Sequence, residues 1–158
     1  MAKTYRVTFA VRLSNKLIEF LLRAGVKIGP MVLLTVRGRK SGQPRTTPVA
    51  LGERNGQRVL VGTFGNVNWV RNLRAAGEAT LTRRRRSEEI TVRELPPEEA
   101  AVALKEILPT APNFIKAYFD VTPDAPLEEF IQEAPRHPIF EVLAKVSADL
   151  PAKEEAVR

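Results

Sequence analysis

Between Met31 and Thr63 the chain alternates apolar, β-branched runs with glycine-bearing turns, and this spacing constrains the fold more than any other feature. Met31 to Val36 and Thr46 to Leu51 read as two strands joined by the loop Arg37-Gly38-Arg39-Lys40-Ser41-Gly42-Gln43-Pro44-Arg45. Arg54-Asn55-Gly56 then supplies a tight-turn signal, because Asn-Gly readily takes positive φ angles, and Gln57 to Thr63 continues as a third strand. The reading is an antiparallel meander. Pro48, inside the second strand, removes a ladder donor and so marks an edge, a bulge or a departure from the sheet, the kind of point at which a barrel splits.

The flanking segments are mainly helical. Ser14 to Arg23 reads as an amphipathic helix, with Ser14 at its N-cap and Gly25 just past its end. Asn66 to Ala76 repeats Trp69, Val70 and Leu73 at helical spacing before Gly77 stops it. Ala79 to Thr82 and Glu89 to Glu94 alternate like half-buried strands on either side of Arg83-Arg84-Arg85-Arg86-Ser87, which reads as an exposed turn. Pro96-Pro97-Glu98-Glu99 opens a helix that runs through Leu108, since early proline and acids suit a helix N-terminus. Ala111 to Asp120 and Pro126 to Glu133 read as further helices, and His137 to Val142 as a closing strand. At 158 residues and 44% hydrophobic content the chain makes one domain, 1–158, with a basic N-terminal segment over 1–27 and a frayed tail over 151–158.

Composition removes several kinds of chemistry. There is no cysteine, which rules out disulfides and thiolate sites and fits a cytoplasmic protein, and the single histidine, His137, cannot build a multi-histidine metal centre. No metal site is expected, and His137, beside Pro138, reads as structural. A net charge of +7 suits a nucleic acid, an anionic membrane surface or an acidic small ligand. The aromatic residues are scattered rather than interleaved with the basic runs, which argues against a nucleic-acid partner. Lys3, Arg6, Arg12, Lys16, Arg23 and Lys27 stand against one acid, Glu19, in the first 27 residues. That pattern suits peripheral membrane contact or a solvated helix face, and membrane association and a homodimer both stay open.

The basic hairpin carries the clearest chemistry. Arg39, Lys40 and Arg45 flank Ser41-Gly42, whose backbone amides can point at a phosphate, so the loop suits a phosphorylated or polycarboxylate ligand. Gly62-x-x-Gly65 is not a dinucleotide fingerprint, and Gly38 to Gly42 lacks a P-loop ending. The runs Leu34 to Val49, Val59 to Gly65 and Asn68 to Ala75, with Gly-Arg-Lys-Ser-Gly-Gln-x-Arg followed by Asn-Trp-x-x-Asn-Leu, closely resemble the deazaflavin-dependent nitroreductase family.

That resemblance implies a mainly β protein with peripheral helices, an antiparallel split β-barrel of the flavin-mononucleotide-binding type. It implies an oxidoreductase that moves a hydride from reduced coenzyme F420 to an activated alkene, quinone or nitroaromatic. Flavin mononucleotide as cofactor, or a carrier protein with no substrate of its own, are the alternatives. By the same resemblance Arg39, Lys40, Ser41, Gly42 and Arg45 hold the phosphate and oligoglutamate tail. Thr47, Pro48, Val49, Gly62, Thr63 and Phe64 line the ring, Asn68, Trp69 and Asn72 lie on the tail-side helix, and Tyr118 is the catalytic candidate. Core packing accounts for Trp69 at least as well as contact does, and burial is the even alternative for Tyr118.

Overall fold

A computed structural model describes residues 9–145; the expected frayed tail and residues 1–8 of the basic N-terminal segment lie outside the described residues. Its six strands are β1 (Met31–Arg37), β2 (Pro44–Arg54), β3 (Gln57–Val61), β4 (Glu78–Arg83), β5 (Arg86–Glu94) and β6 (Ile139–Ala144). All pairings are antiparallel, and the order β1-β2-β3-β6-β5-β4 closes on itself through β1 and β4. The helices are α1 (Phe9–Arg23), α2 (Asn68–Ala76), α3 (Pro97–Ile107), α4 (Asn113–Lys116) and α5 (Leu127–Glu133).

The period of two along each strand divides the core. Leu60 and Phe140 join Val32, Leu34, Val36 and Ile90 in one cluster, into which α2 sends Trp69, Val70 and Leu73. Their neighbours Val59, Val61 and Ile139 point the other way, into a second cluster with Leu104 of α3 and Phe130 of α5. Strands β3 and β6 are therefore covered on both faces, which is why Val59-Leu60-Val61 is an unbroken apolar run.

Strand β2 changes partner along its length. It pairs with β1 from Pro44 to Ala50 and with β3 from Ala50 to Arg54, so Pro48, opposite Leu33, lies where β2 has a neighbour on one side only. A residue without an N–H is tolerated at such an edge, and the barrel splits there.

Some boundaries differ from the sequence reading. Ser14 is not an N-cap; it is an exposed residue inside α1, which already includes Phe9. The apolar row of Phe9, Leu13 and Leu17 continues the helix through it, since one interior serine costs only a fraction of a kcal/mol, roughly half. The helix expected from Ala111 to Asp120 is only α4, after which the chain turns. There the Asp120 N–H donates to the Glu133 carboxylate at 3.0 Å instead of extending the helical ladder. Strand β3 ends at Val61 because Gly62 and Thr63 bond to the segment before β6. Strands β4 and β5 are longer than expected and meet at a turn in which Arg84 and Arg85 take φ of 49° and 65°.

Candidate active site

Where β2 leaves β3 a cleft of about 280 Å³ opens. Thr47, Pro48 and Val49 of β2, Thr63 and Phe64 of the β3–α2 connection, and Asn68 and Trp69 of α2 all line it. Sequence reasoning did not find the remaining walls, which include Asn15 and Ile18 of α1 and Phe114 and Ile115 of α4. Those contacts join segments far apart in the chain, and no local pattern announces them. Trp69 is a core residue, 8% exposed, that also lines the cleft.

The basic hairpin stands one helical turn from this cleft. Asn72 follows Asn68 by four residues on α2, roughly 6 Å along the axis, and is buried. Its side-chain oxygen accepts both the Arg39 backbone N–H, at 3.1 Å, and an Arg39 guanidinium N–H, at 2.7 Å. A neutral amide thus fixes Arg39 without cancelling its charge. Among the described residues no ion pair joins Arg39, Lys40 or Arg45 to an acid, and all three are exposed. Arg45, Thr47 and Val49 alternate along one face of β2, which links hairpin and cleft.

One expectation about this loop is corrected. The Gly42 N–H donates to the Gly38 carbonyl at 2.9 Å, and Gly38 donates to Gln43 at 2.8 Å, so the Gly42 amide is used inside the loop. Ser41 accepts the Gln43 N–H at 3.2 Å and keeps its own hydroxyl proton to donate.

The far wall is held by residues from near the end of the chain. Gly62 N–H donates to the Pro138 carbonyl at 2.7 Å, so close that a Cβ on Gly62 would lie 2.9 Å from that oxygen. His137, buried and stacked on Phe119 at 4.0 Å, donates from Nδ1 to the Thr63 carbonyl at 3.0 Å. Its Nε2 lies 2.7 Å from the buried Glu133 carboxylate. Thr63 is buried, and its hydroxyl is, among the described residues, the one buried side-chain oxygen or nitrogen without a hydrogen-bond partner. Such a group costs free energy unless something else satisfies it. Thr63, Val61 and Ile115 also line an adjoining cavity of about 450 Å³, walled by Leu104, Ile107 and Phe119. Tyr118 lies outside both linings but meets Phe64 edge to face at 4.7 Å.

The site is thus a cleft at the split of a small antiparallel barrel, with cations that have no acidic partner among the described residues one helical turn away. Residues 21–124 match the model of the F420H(2)-dependent quinone reductase family, and the chain belongs to that family. It is an F420-dependent oxidoreductase. Among solved structures it is similar to an F420-H2 dependent reductase, FDR-A, at 25% identity over 72% of this chain and 94% of that one, with a TM-score of 0.46. It is also similar to a structure described as a domain-swapped dimer, at 23% identity over 85% and 99% of the two chains, with a TM-score of 0.48. A NimC/NimA family protein from Clostridium acetobutylicum is 16% identical over 80% and 78%, with a TM-score of 0.45. The residues present fit coenzyme F420, since Arg39, Lys40 and Arg45, exposed and without an acidic partner among the described residues, suit a phosphate and several carboxylates.

Proposed function

We propose that the protein reduces an electron-poor small molecule, a quinone, activated alkene or nitroaromatic, with the cofactor's ring in the cleft at the β2 split and its tail on the basic hairpin. The observation that carries this reading is the cleft itself, which gathers Thr47, Pro48, Val49, Thr63, Phe64, Asn68 and Trp69 from three separate segments. When bound, reduced coenzyme F420 supplies a hydride.

The chain's own residues do the rest. Lys40 and Arg45 give charge-assisted hydrogen bonds to anionic tail groups, and Arg39, anchored by Asn72, adds a charge of fixed position. Val49, Trp69 and Ile115 exclude water, which strengthens every polar contact inside the cleft. The adjoining apolar cavity, which shares Val61, Thr63 and Ile115 with the cleft, takes the acceptor's bulk. Tyr118, against Phe64, shapes that side of the pocket or supplies a proton.

Anaerobic turnover with a panel of quinones, enones and nitroaromatics tests this. Oxidation of reduced F420 by at least one acceptor is expected. Tight binding of reduced F420 with no oxidation by any of them makes the protein a carrier instead.

A further inference from the structure

The barrel has a second end, away from the basic hairpin. Strand β1 runs from Met31 towards the hairpin, and β4 beside it runs the other way, pairing Thr80 with Thr35 and Thr82 with Leu33. The β4–β5 turn therefore lies at the Met31 end of β1, roughly 20 Å from the hairpin by the length of a seven-residue strand. A cavity of about 600 Å³ opens there.

Strand periodicity decides what faces this cavity. Leu60, Leu81 and Ile90 belong to the core cluster inside the barrel. Two residues along from each, on the same face, stand Arg58, Arg83 and Glu88, and Arg86 lies directly opposite Arg83 in the β4–β5 ladder. The rows that fill the barrel thus end in charged residues at its rim. Leu51, opposite Leu60, and Leu81 give the cavity an apolar part, and Arg58, Arg83, Arg84 and Arg86 line the rest with Ser87 and Glu88.

The charges at this rim do not balance. Arg58 donates to Glu88, the one acid lining the cavity, at 2.6 and 3.1 Å, and Glu53 stands opposite Arg58 in the β2–β3 ladder. Arg83, Arg84 and Arg86 are exposed, and no ion pair joins any of them to an acid among the described residues. Like charges directly opposite each other on paired strands, as Arg83 and Arg86 are, destabilise the pair unless an anion lies between them. The turn is nonetheless held: an Arg85 guanidinium N–H donates to the Ala24 carbonyl at 3.0 Å, and Arg84 and Arg85 keep a positive φ that is uncommon for non-glycine residues.

We propose that this cavity binds a phosphorylated small molecule carrying at least two negative charges, with its apolar or aromatic part against Leu51 and Leu81. Guanidinium forks match phosphate oxygens two at a time, and the volume lies within the range of small-ligand pockets. The site is independent of the proposed function, because it and the hairpin stand at opposite ends of β1.

Isothermal titration of the full chain with adenosine diphosphate and with inorganic pyrophosphate, in the absence of redox cofactor and acceptor, tests the proposal. Adenosine diphosphate should bind saturably, and more tightly than pyrophosphate, which has no apolar part. Its affinity should survive Lys40→Ala/Arg45→Ala and fall about tenfold in Arg83→Gln and in Arg86→Gln, each of which removes a charge-assisted contact. Glu88→Gln releases Arg58 and removes a repelling carboxylate, so it should tighten binding by up to about fivefold, a gain that damage to the fold does not produce. No binding of adenosine diphosphate, an affinity no better than that of pyrophosphate, or binding unchanged in both arginine variants overturns the proposal. So does binding lost in Lys40→Ala/Arg45→Ala, which would put the phosphates on the hairpin.

Discussion

Lys40 and Arg45 are exposed and form no ion pair among the described residues, so their removal tests the hairpin without disturbing the core. A charge-assisted hydrogen bond is worth about 1.5–3 kcal/mol, so Lys40→Ala or Arg45→Ala should weaken F420 binding roughly 10- to 150-fold in a fluorescence titration, with Arg85→Ala close to wild type. Thr63→Val keeps the shape and removes a buried hydroxyl that has no partner among the described residues, so the variant should unfold at or above the wild-type midpoint in urea melts. Tyr118→Phe should cost up to about 100-fold in kcat if that hydroxyl is an acid, and a full rate at every pH makes Tyr118 a packing residue. Gly62→Ala places a methyl 2.9 Å from the Pro138 carbonyl, backbone against side chain with little room to yield, and should lower stability by about 1–3 kcal/mol in urea melts. Gly38→Ala meets mainly the rotatable Ser41 hydroxyl and should cost less. The hairpin cations were legible from the sequence because they sit together in it. The orphaned Thr63 hydroxyl was not, because its burial depends on His137 and on walls brought from α4.

At the scale of elements, Pro48 gave away the split: a strand that loses a donor is a strand without a partner on one side, and the β1-to-β3 exchange of β2 centres two residues later at Ala50. The Asn55-Gly56 turn was equally legible, with both residues at positive φ. The ends of α1 and α4 were not, since Ser14 has an N-cap's chemistry without its position, and α4 stops for the sake of a hydrogen bond to Glu133, a residue on α5. The β3 and β5 strands are not neighbours in the barrel, yet Arg58 of β3 reaches Glu88 of β5 at 2.6 Å. A hydrogen bond from Arg58, reinforced by its charge, holds the Glu88 carboxyl below the usual carboxylate range. Its stabilisation is therefore present above the ordinary carboxyl pKa and lost as pH falls through the lowered one. The pair is largely solvated and worth about 1 kcal/mol or less, so Glu88→Gln should melt slightly below wild type at neutral pH and coincide with it in strong acid.

For the whole molecule, the arrangement that matters is a barrel whose split and cationic hairpin are joined through a short piece of rigid structure. Helix α2 carries Asn68 and Trp69 to the cleft and Asn72 to Arg39, so cleft and hairpin hold one fixed separation. The antiparallel meander was legible in the strand pattern and the split barrel followed from the family resemblance, while the placement of α3 and α5 over the outer face of β3 and β6 did not, because those helices pack through contacts with distant strands. The central claim is that this geometry selects a cofactor with a long polyanionic tail. Parallel fluorescence titrations of the wild-type protein with coenzyme F420 and with flavin mononucleotide, at low and high salt, test it most directly. The account predicts tighter binding of F420, with an affinity that falls steeply as salt screens the hairpin cations; equal or tighter binding of flavin mononucleotide would contradict it.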